Sequence, residues 1–224
     1  MGRAPRIDVR DEIYHVLNRA NAGVEIFRKE KDYEAFESVI QEAKEKNPIK
    51  IFSYCLMPNH WHFILSPEDD GGLNKFMQRL ALTHAQRWHA HYHNVGSGHL
   101  YQGRYKAFII QKENYFLQAA SYVERNAMRA GLVKKAQDWK WSSLWRREFG
   151  TLKQKEMIDP WPIAIPGDLL EYINRADSKN SLELIRESIK KSRPLGDSEW
   201  LNKTIRKFGL EIVTRNPGRP KNGT

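Results

Sequence analysis

Residues 49–66 decide the fold of this chain; they read IKIFSYCLMPNHWHFILS. Two runs in this stretch, residues 49–57 and 60–66, are rich in the β-branched and aromatic side chains that are typical of strands. The Pro58-Asn59 pair between them is typical of a turn. The stretch is therefore predicted to form two strands that are joined by a short connection.

Further regular elements are predicted on both sides of this strand pair. Upstream, apolar residues recur at helical spacing from Lys31 to Lys46, and Pro48 ends the helix. The full predicted order is a strand at 13–17, a helix at 31–46, strands at 49–57 and 60–66, a helix at 73–88, a strand at 107–110 and a helix at 113–130 that Gly131 caps. This β-α-β-β-α-β-α order predicts an α+β fold with a ferredoxin-like (split βαβ) core, in which an antiparallel sheet packs against helices on one face.

After Gly150 the predicted secondary structure changes from a mixed α/β pattern to short helices. Pro-interrupted sequence leads into short helices predicted at 168–175, 181–191 and 197–208. Residues 215–224 are polar and basic, and a terminal segment of this composition is expected to be disordered. The predicted division is a first domain at 1–150, a helical extension at 151–214 and a basic tail at 215–224.

The composition is strongly basic. The chain has 224 residues, a formal net charge of +10 at pH 7 and a pI of about 9.6. Such a surplus favours a polyanionic partner such as nucleic acid, because each Lys or Arg that meets a phosphate releases a counterion. No run approaches the roughly 20 apolar residues of a membrane span, the N-terminus lacks the apolar core of a secretory signal, and the lone Cys55 has no partner for an internal disulfide. A cytoplasmic protein with no membrane partner is expected.

The second predicted strand of the pair begins with His60-Trp61-His62. Alternate residues of a strand face the same side, so both imidazoles project together while Trp61 points to the opposite face. Two imidazoles on one side make half of a metal site, and the alternative is a pair of surface or core histidines. The histidine-rich segment 89–93 lies at a helix end, where positions two apart point about 200° from each other, so it is interpreted as solvent-facing polar surface.

The third predicted helix carries polar residues on one stripe. Tyr122 and Asn126 are four residues apart and share a face with Gln118, and Arg125 and Arg129 border that face. This stripe has the groups that would complete a metal site and place a phenol beside it. The alternative is that Tyr122 lies at an amphipathic boundary, with its ring packed and its hydroxyl in water.

Three sequence motifs, together with a Trp-Ser-Ser segment, carry a family resemblance. They are MPNHWH at 57–62, GHLYQGRY at 98–105, YVERN at 122–126 continuing to RAGLV at 129–133, and WSS at 141–143. In this order and spacing the chain resembles the single-tyrosine HUH transposases, in particular the REP-associated tyrosine transposases of bacteria. The resemblance runs from about Ile13 to Trp145, and it identifies the first domain, 1–150, as an HUH tyrosine transposase catalytic domain.

The resemblance implies a metal site and a nucleophile. His60, His62 and Asn126 would hold Mg²⁺ or Mn²⁺, and some relatives have Gln where this chain has Asn126. Tyr122 would attack a DNA phosphorus to give a 5′-phosphotyrosine, which a 3′-hydroxyl can later reverse to rejoin strands. Tyr115 is the rival nucleophile, but the residue one turn after it is an alanine, which cannot bind a metal.

The expected substrate is single-stranded, hairpin or REP-like DNA. The candidate DNA contacts are Arg3, Arg6, Arg104, Tyr105, Lys106, Arg125, Arg129 and Arg219. For each cation the alternative is ordinary surface charge. The segment PGRPK at 217–221 resembles an AT-hook, which inserts arginine into a narrow minor groove.

Other functions stay open at this point. A domesticated or catalytically silent nucleic-acid-binding protein of the same fold would bind without Tyr122 or metal, and a water-using nuclease would form no covalent adduct. A replication initiator or relaxase of the wider HUH class usually has a different tyrosine arrangement. The oligomeric state is open between monomer and homodimer.

Overall fold

The computed structural model describes residues 7–211. The elements are β1 Ile13–Arg19, α1 Glu30–Lys46, β2 Ile49–Met57, β3 His60–Pro67, α2 Gly72–His91, β4 Lys106–Ile110, α3 Asn114–Glu124, α4 Asn126–Arg129, α5 Ser143–Phe149, α6 Leu152–Glu156, α7 Leu169–Asn174, α8 Lys179–Lys191 and α9 Ser198–Phe208. Within the described range, no helix combines the length and the apolar character needed to cross a membrane.

The four strands form one antiparallel sheet in the order β2-β3-β1-β4. Helix α1 connects β1 to β2, and α2 connects β3 to β4, so each crossover returns the chain past one intervening strand. This is the strand order of a split βαβ unit. The predicted α+β, ferredoxin-like core is confirmed.

The first face of the sheet is covered by α1 and α2. Trp61 is fully buried there, in one core cluster with Val16 and Phe63 from the strands and Phe36 and Leu80 from the helices. Strand alternation explains this placement, because residues two apart along β3 share a face. The face that Trp61 occupies is the one predicted from the sequence.

Helices also cover the second face, so the expectation of helices on one face is wrong for the whole chain. Phe116 and Val123 of α3 pack against Cys55, Ile64 and Phe108 of the strands in a separate apolar cluster. The physical reason is that β2 is buried along almost its whole length, on both faces. A strand that is apolar on both sides needs a cover on both sides.

Both edges of the sheet are protected. At the β2 edge, Leu56 N donates to Trp141 O at 2.9 Å; at the β4 edge, Leu195 N donates to Ile109 O at 2.8 Å. Such pairing removes the free edge groups that invite association with other chains. Leu195 belongs to the part of the chain after Gly150, which therefore packs directly onto the sheet.

The third helix is interrupted rather than continuous from 113 to 130. Arg125 has φ −84° and ψ 0°, and it separates α3 from α4. The Tyr122 carbonyl accepts a hydrogen bond of 2.8 Å from Arg129 Nη2 at this point. A side chain that inserts into the backbone ladder is a common cause of such a break. Gly131 ends the segment at φ 72°, as its predicted capping role requires.

Candidate active site

His60 and His62 lie side by side on the sheet face that α3 covers. Their ring centroids are 5.3 Å apart, with the rings nearly perpendicular. His62 is buried and His60 is half-buried. The shared side that the sequence predicts for the two imidazoles is therefore present, and Trp61 between them faces the other way.

A third histidine joins this pair from the neighbouring strand. His15 of β1 is fully buried, and its Nε2 lies 2.8 Å from His62 Nδ1. Leu17 is the direct cross-strand partner of His62, so His15, two residues earlier, lies on the same face. The sequence predicts only that His15 belongs to a strand. Its position next to His62 depends on the register between two distant strands, which local sequence does not reveal.

Burial favours the neutral form of all three imidazoles. Burial lowers the pKa of His15 to about 3 and that of His60 to about 4, and nearby Arg129 acts in the same direction. Burial also holds the pKa of His62 well below its ordinary value, helped by the other two histidines. A neutral imidazole keeps a lone pair free for a metal ion.

Helix α3 brings Tyr122 to these histidines. The Tyr122 ring centroid is 6.1 Å from that of His15 and 6.1 Å from that of His62. Asn126, at the start of α4, is buried one helical turn later. The rival Tyr115 lies about two turns earlier and packs, partly buried, against the apolar cluster under α3. Of the two tyrosines, Tyr122 is the one that the fold places against the histidines.

The end of α3 is anchored from outside the helix. The Glu124 carboxylate accepts hydrogen bonds from Ser143 Oγ and, at 3.0 Å, from Leu144 N at the start of α5. Burial raises the pKa of Glu124 to about 7. Ser143 of the Trp-Ser-Ser segment therefore anchors the last turn of α3, which carries Tyr122.

Arg129 holds both Tyr122 and Asn126. Its Nη2 donates to Tyr122 O and to Asn126 Oδ1, each at 2.8 Å. Asp177 faces this group from the loop after α7, with Oδ2 2.8 Å from Arg125 Nη1 and 3.8 Å from Arg129 Nη1. The side chains of Arg125 and Arg129 are only 7% and 18% exposed. Two of the predicted DNA contacts therefore point inward, toward a carboxylate of the extension.

The other predicted DNA contacts around β4 differ in exposure. Arg104 and Lys106 are exposed, and Lys106 Nζ lies 3.3 Å from Ile189 O. Tyr105 is buried, and its hydroxyl donates to Asn74 Oδ1. Three more predicted contacts, Arg3, Arg6 and Arg219, lie outside the described residues, as does the AT-hook-like segment at 217–221.

The donor set fits a divalent ion. From residue 7 to residue 211, no group of three or more His, Cys, Asp or Glu side chains is arranged to hold a metal. Beside His60 and His62, the amide oxygen of Asn126 is a donor of another type that could serve as a third ligand. Because His62 Nδ1 faces His15, the free nitrogen of His62 is Nε2. Asn126 Oδ1 retains a second lone pair beside the bond from Arg129.

In this fold, two histidines of β3 lie side by side on the sheet face that is covered by α3, the helix that carries Tyr122. The family model for IS200-like transposases matches residues 8–126, more than half of the chain. The chain therefore belongs to the IS200-like transposases, a family of DNA-processing enzymes. Asn126, the last site residue, is also the last residue of that match.

A solved structure shows the same fold. A REP-associated tyrosine transposase bound to a REP hairpin is similar with a TM-score of 0.56 and 18% identity, over 80% of this chain and 96% of that one. A transposase candidate from Deinococcus radiodurans R1 has a TM-score of 0.39 and 13% identity, over 59% and 91% of the respective chains, which is too low to support an argument. Among curated proteins, none matches the chain significantly.

Proposed function

We propose that this transposase cleaves and rejoins single-stranded or hairpin, REP-like DNA through a covalent 5′-phosphotyrosine at Tyr122. The observation that carries the proposal is the position of the Tyr122 ring beside the imidazoles of His15 and His62. Its ring centroid is 6.1 Å from the centroid of each. A tyrosine that served only to fill the core would not need to face two buried imidazoles. The buried amide of Asn126 beside it supports the same interpretation.

The proposed reaction exchanges one phosphate ester for another. Tyr122 Oη forms a bond to phosphorus while the bond from phosphorus to the 3′-oxygen breaks. The phenolic proton leaves to solvent, and the 3′-oxygen takes up a proton to become a free hydroxyl. Because the ester bond is conserved, the 3′-hydroxyl of another strand can reverse the step and join DNA ends without ATP.

Each residue of the site has a distinct task in this reaction. His60, His62 and Asn126 would hold Mg²⁺ or Mn²⁺, which polarises the scissile phosphate when bound. Arg129 keeps the Tyr122 ring and the Asn126 oxygen in fixed positions. This matters because a neutral phenol is a weak nucleophile that depends on accurate placement.

The DNA partner is supported by charge and by similarity. The formal net charge of +10 favours a polyanion, and the structurally similar REP-associated transposase is bound to a REP hairpin. Arg104 and Lys106 are exposed at the start of β4. We propose that these two cations contact the DNA backbone.

The test is a covalent-adduct assay. Purified protein is incubated with labelled hairpin oligonucleotides from the flanks of its own gene and Mn²⁺, and the products are run on denaturing gels. We expect a protein–DNA band from the wild type and from the matched Tyr115→Phe control. The band should be absent from Tyr122→Phe, from His60→Ala and from samples with a chelator.

The other outcomes would replace the proposal. Cleavage without an adduct indicates a nuclease that uses water, and tight binding without cleavage indicates a catalytically silent DNA-binding protein. An adduct that persists in Tyr122→Phe and disappears in Tyr115→Phe would move the nucleophile to Tyr115.

A further inference from the structure

His15 is a buried polar residue for which the proposed reaction has no direct use. Its ring is fully enclosed, with centroids 4.9 Å from Phe108, 5.1 Å from His62 and 6.1 Å from Tyr122. Its Nε2 lies 2.8 Å from His62 Nδ1. His15 therefore lies next to His62, a proposed metal ligand, and next to Tyr122, the proposed nucleophile.

We propose that His15 is a positioning residue that prepares His62 for the metal ion; the inference rests on the proposed function. His15 Nε2 accepts a hydrogen bond from His62 Nδ1–H. This bond fixes the orientation of the His62 ring and leaves the lone pair on His62 Nε2. Metal-binding histidines in proteins generally donate their second N–H to such a partner, and this partner sets the tautomer.

A hydrogen bond in the opposite direction, from His15 to His62, would prevent His62 from binding the metal ion through Nε2. If His15 Nε2–H donated to His62 Nδ1, the neutral His62 ring would carry its proton on Nε2, and that nitrogen would have no lone pair to offer. Only the arrangement in which His62 donates is compatible with His62 as a ligand. His15 must then carry its own proton on Nδ1.

The environment of His15 Nδ1 argues against a role in packing alone. In the part of the chain that the structure describes, nothing hydrogen-bonds to His15 Nδ1. A buried polar atom without a partner destabilises the folded state. A leucine or phenylalanine at residue 15 would fill the space without this defect, so the imidazole is explained by its bond to His62.

The test compares substitutions by their Mn²⁺ affinity, measured without DNA from the electron paramagnetic resonance signal of free Mn²⁺. His15→Leu keeps apolar volume and removes the acceptor, whereas His15→Gln places an amide oxygen near the Nε2 position. His84→Leu is the matched control, because His84 is also a buried histidine and lies on the opposite face of the sheet. We expect His15→Leu to bind Mn²⁺ about 10–100-fold more weakly, and His15→Gln and His84→Leu to stay within a few-fold of the wild type.

A second readout does not depend on the ion. Long-range ¹H–¹⁵N spectra of histidine-labelled wild-type protein without metal should show the His62 proton on Nδ1. A proton on His62 Nε2 instead would overturn the proposal, whatever happens to the folding of the substituted proteins.

The outcomes separate this inference from the proposed function. If His60→Ala binds Mn²⁺ as well as the wild type, the metal site itself is wrong and the role of His15 falls with it. If His60→Ala loses Mn²⁺ while His15→Leu retains full affinity, the metal site stands and only the role of His15 is overturned.

Discussion

The guanidinium of Arg129 stacks on the ring of Tyr122, with Cζ 3.9 Å from the ring centroid. The same guanidinium bonds to the Tyr122 carbonyl and to Asn126 Oδ1. Arg129 lies three residues beyond the end of the family match at residue 126. The support for the proposed nucleophile therefore extends past the part of the chain that defines the family.

Replacing Arg129 by methionine should slow formation of the covalent adduct. Arg129→Met keeps a long side chain over the Tyr122 ring but removes the cation and both hydrogen bonds. A misplacement of about 1 Å at a reacting group lowers rates by roughly 100-fold, so we expect a loss of about 10–100-fold. The measurement is the single-turnover rate of adduct formation at saturating hairpin DNA.

Arg125→Met is the matched control for this prediction. Arg125 pairs with the same Asp177 as Arg129 does, but the two hydrogen bonds to Tyr122 and Asn126 come from Arg129. At saturating DNA its adduct rate should stay within a few-fold of the wild type. Equal losses in the two variants would show that charge near Asp177, rather than placement of Tyr122, limits the rate.

Asp177→Asn should destabilise the fold. The carboxylate is 13% exposed and faces two largely buried guanidinium groups. Removing one partner of a buried ion pair leaves a charge without compensation, which destabilises proteins by about 3–5 kcal/mol. Urea unfolding should show this loss in the free energy of unfolding. Glu171→Gln, which breaks an exposed pair with Arg175, should change it by less than about 1 kcal/mol, and a similar small effect for Asp177→Asn would contradict the prediction.

His84 should make stability depend on pH. Burial lowers its pKa from 6.5 to about 3, so the folded chain keeps this imidazole neutral while the unfolded chain protonates it below pH 6.5. Stability is therefore lost as pH falls from 6.5 toward 3, at up to about 1.4 kcal/mol per pH unit from this residue. Urea unfolding at pH 7.5, 6.0 and 5.0 should show a smaller loss in His84→Leu than in the wild type. Parallel losses in the two proteins would assign the effect to other groups.

The local pattern of the sequence predicts most of the fold. The strands at 49–57 and 60–66 are found nearly residue for residue as β2 and β3, since strand composition and alternation are local properties. Helices α8 and α9 also fall within a few residues of their predicted ranges. The placement of His60 beside His62, and of His62 near Tyr122, follows from the same local rules once the strand order is known.

What the sequence did not predict depends on long-range geometry. His15 meets His62, which lies 47 residues later in the chain, through the register of β1 and β3. In the sequence, Arg125 and Arg129 look like surface cations. In the folded chain both are largely buried and face Asp177, which lies about fifty residues later. The break at Arg125 coincides with the hydrogen bond from Arg129 to the Tyr122 carbonyl, and no glycine or proline lies there.

Removing one partner from the buried pair of Glu37 and Arg146 should strongly destabilise the fold. Arg146 Nε and Nη2 bond to the two Glu37 oxygens at 2.9 and 2.5 Å, and Tyr54 Oη donates to the same carboxylate at 2.7 Å. The Arg146 side chain is 1% exposed and that of Glu37 is 11% exposed. Arg146→Met should therefore lower the free energy of unfolding by about 3–5 kcal/mol, because the Glu37 charge stays buried without its partner.

A second Arg–Glu pair, whose glutamate also lies on α1, provides the control. Arg87 bonds to Glu42 of α1 through two contacts of 2.8 and 2.7 Å, but these side chains are 52% and 49% exposed. Water screens this pair, so its coupling in a double-mutant cycle should be about 0–1 kcal/mol. The cycle for Glu37→Gln and Arg146→Met should give a larger coupling, because contacting residues in one buried network are strongly non-additive. Equal couplings would mean that the geometry of the two contacts, rather than burial, sets the strength of these pairs.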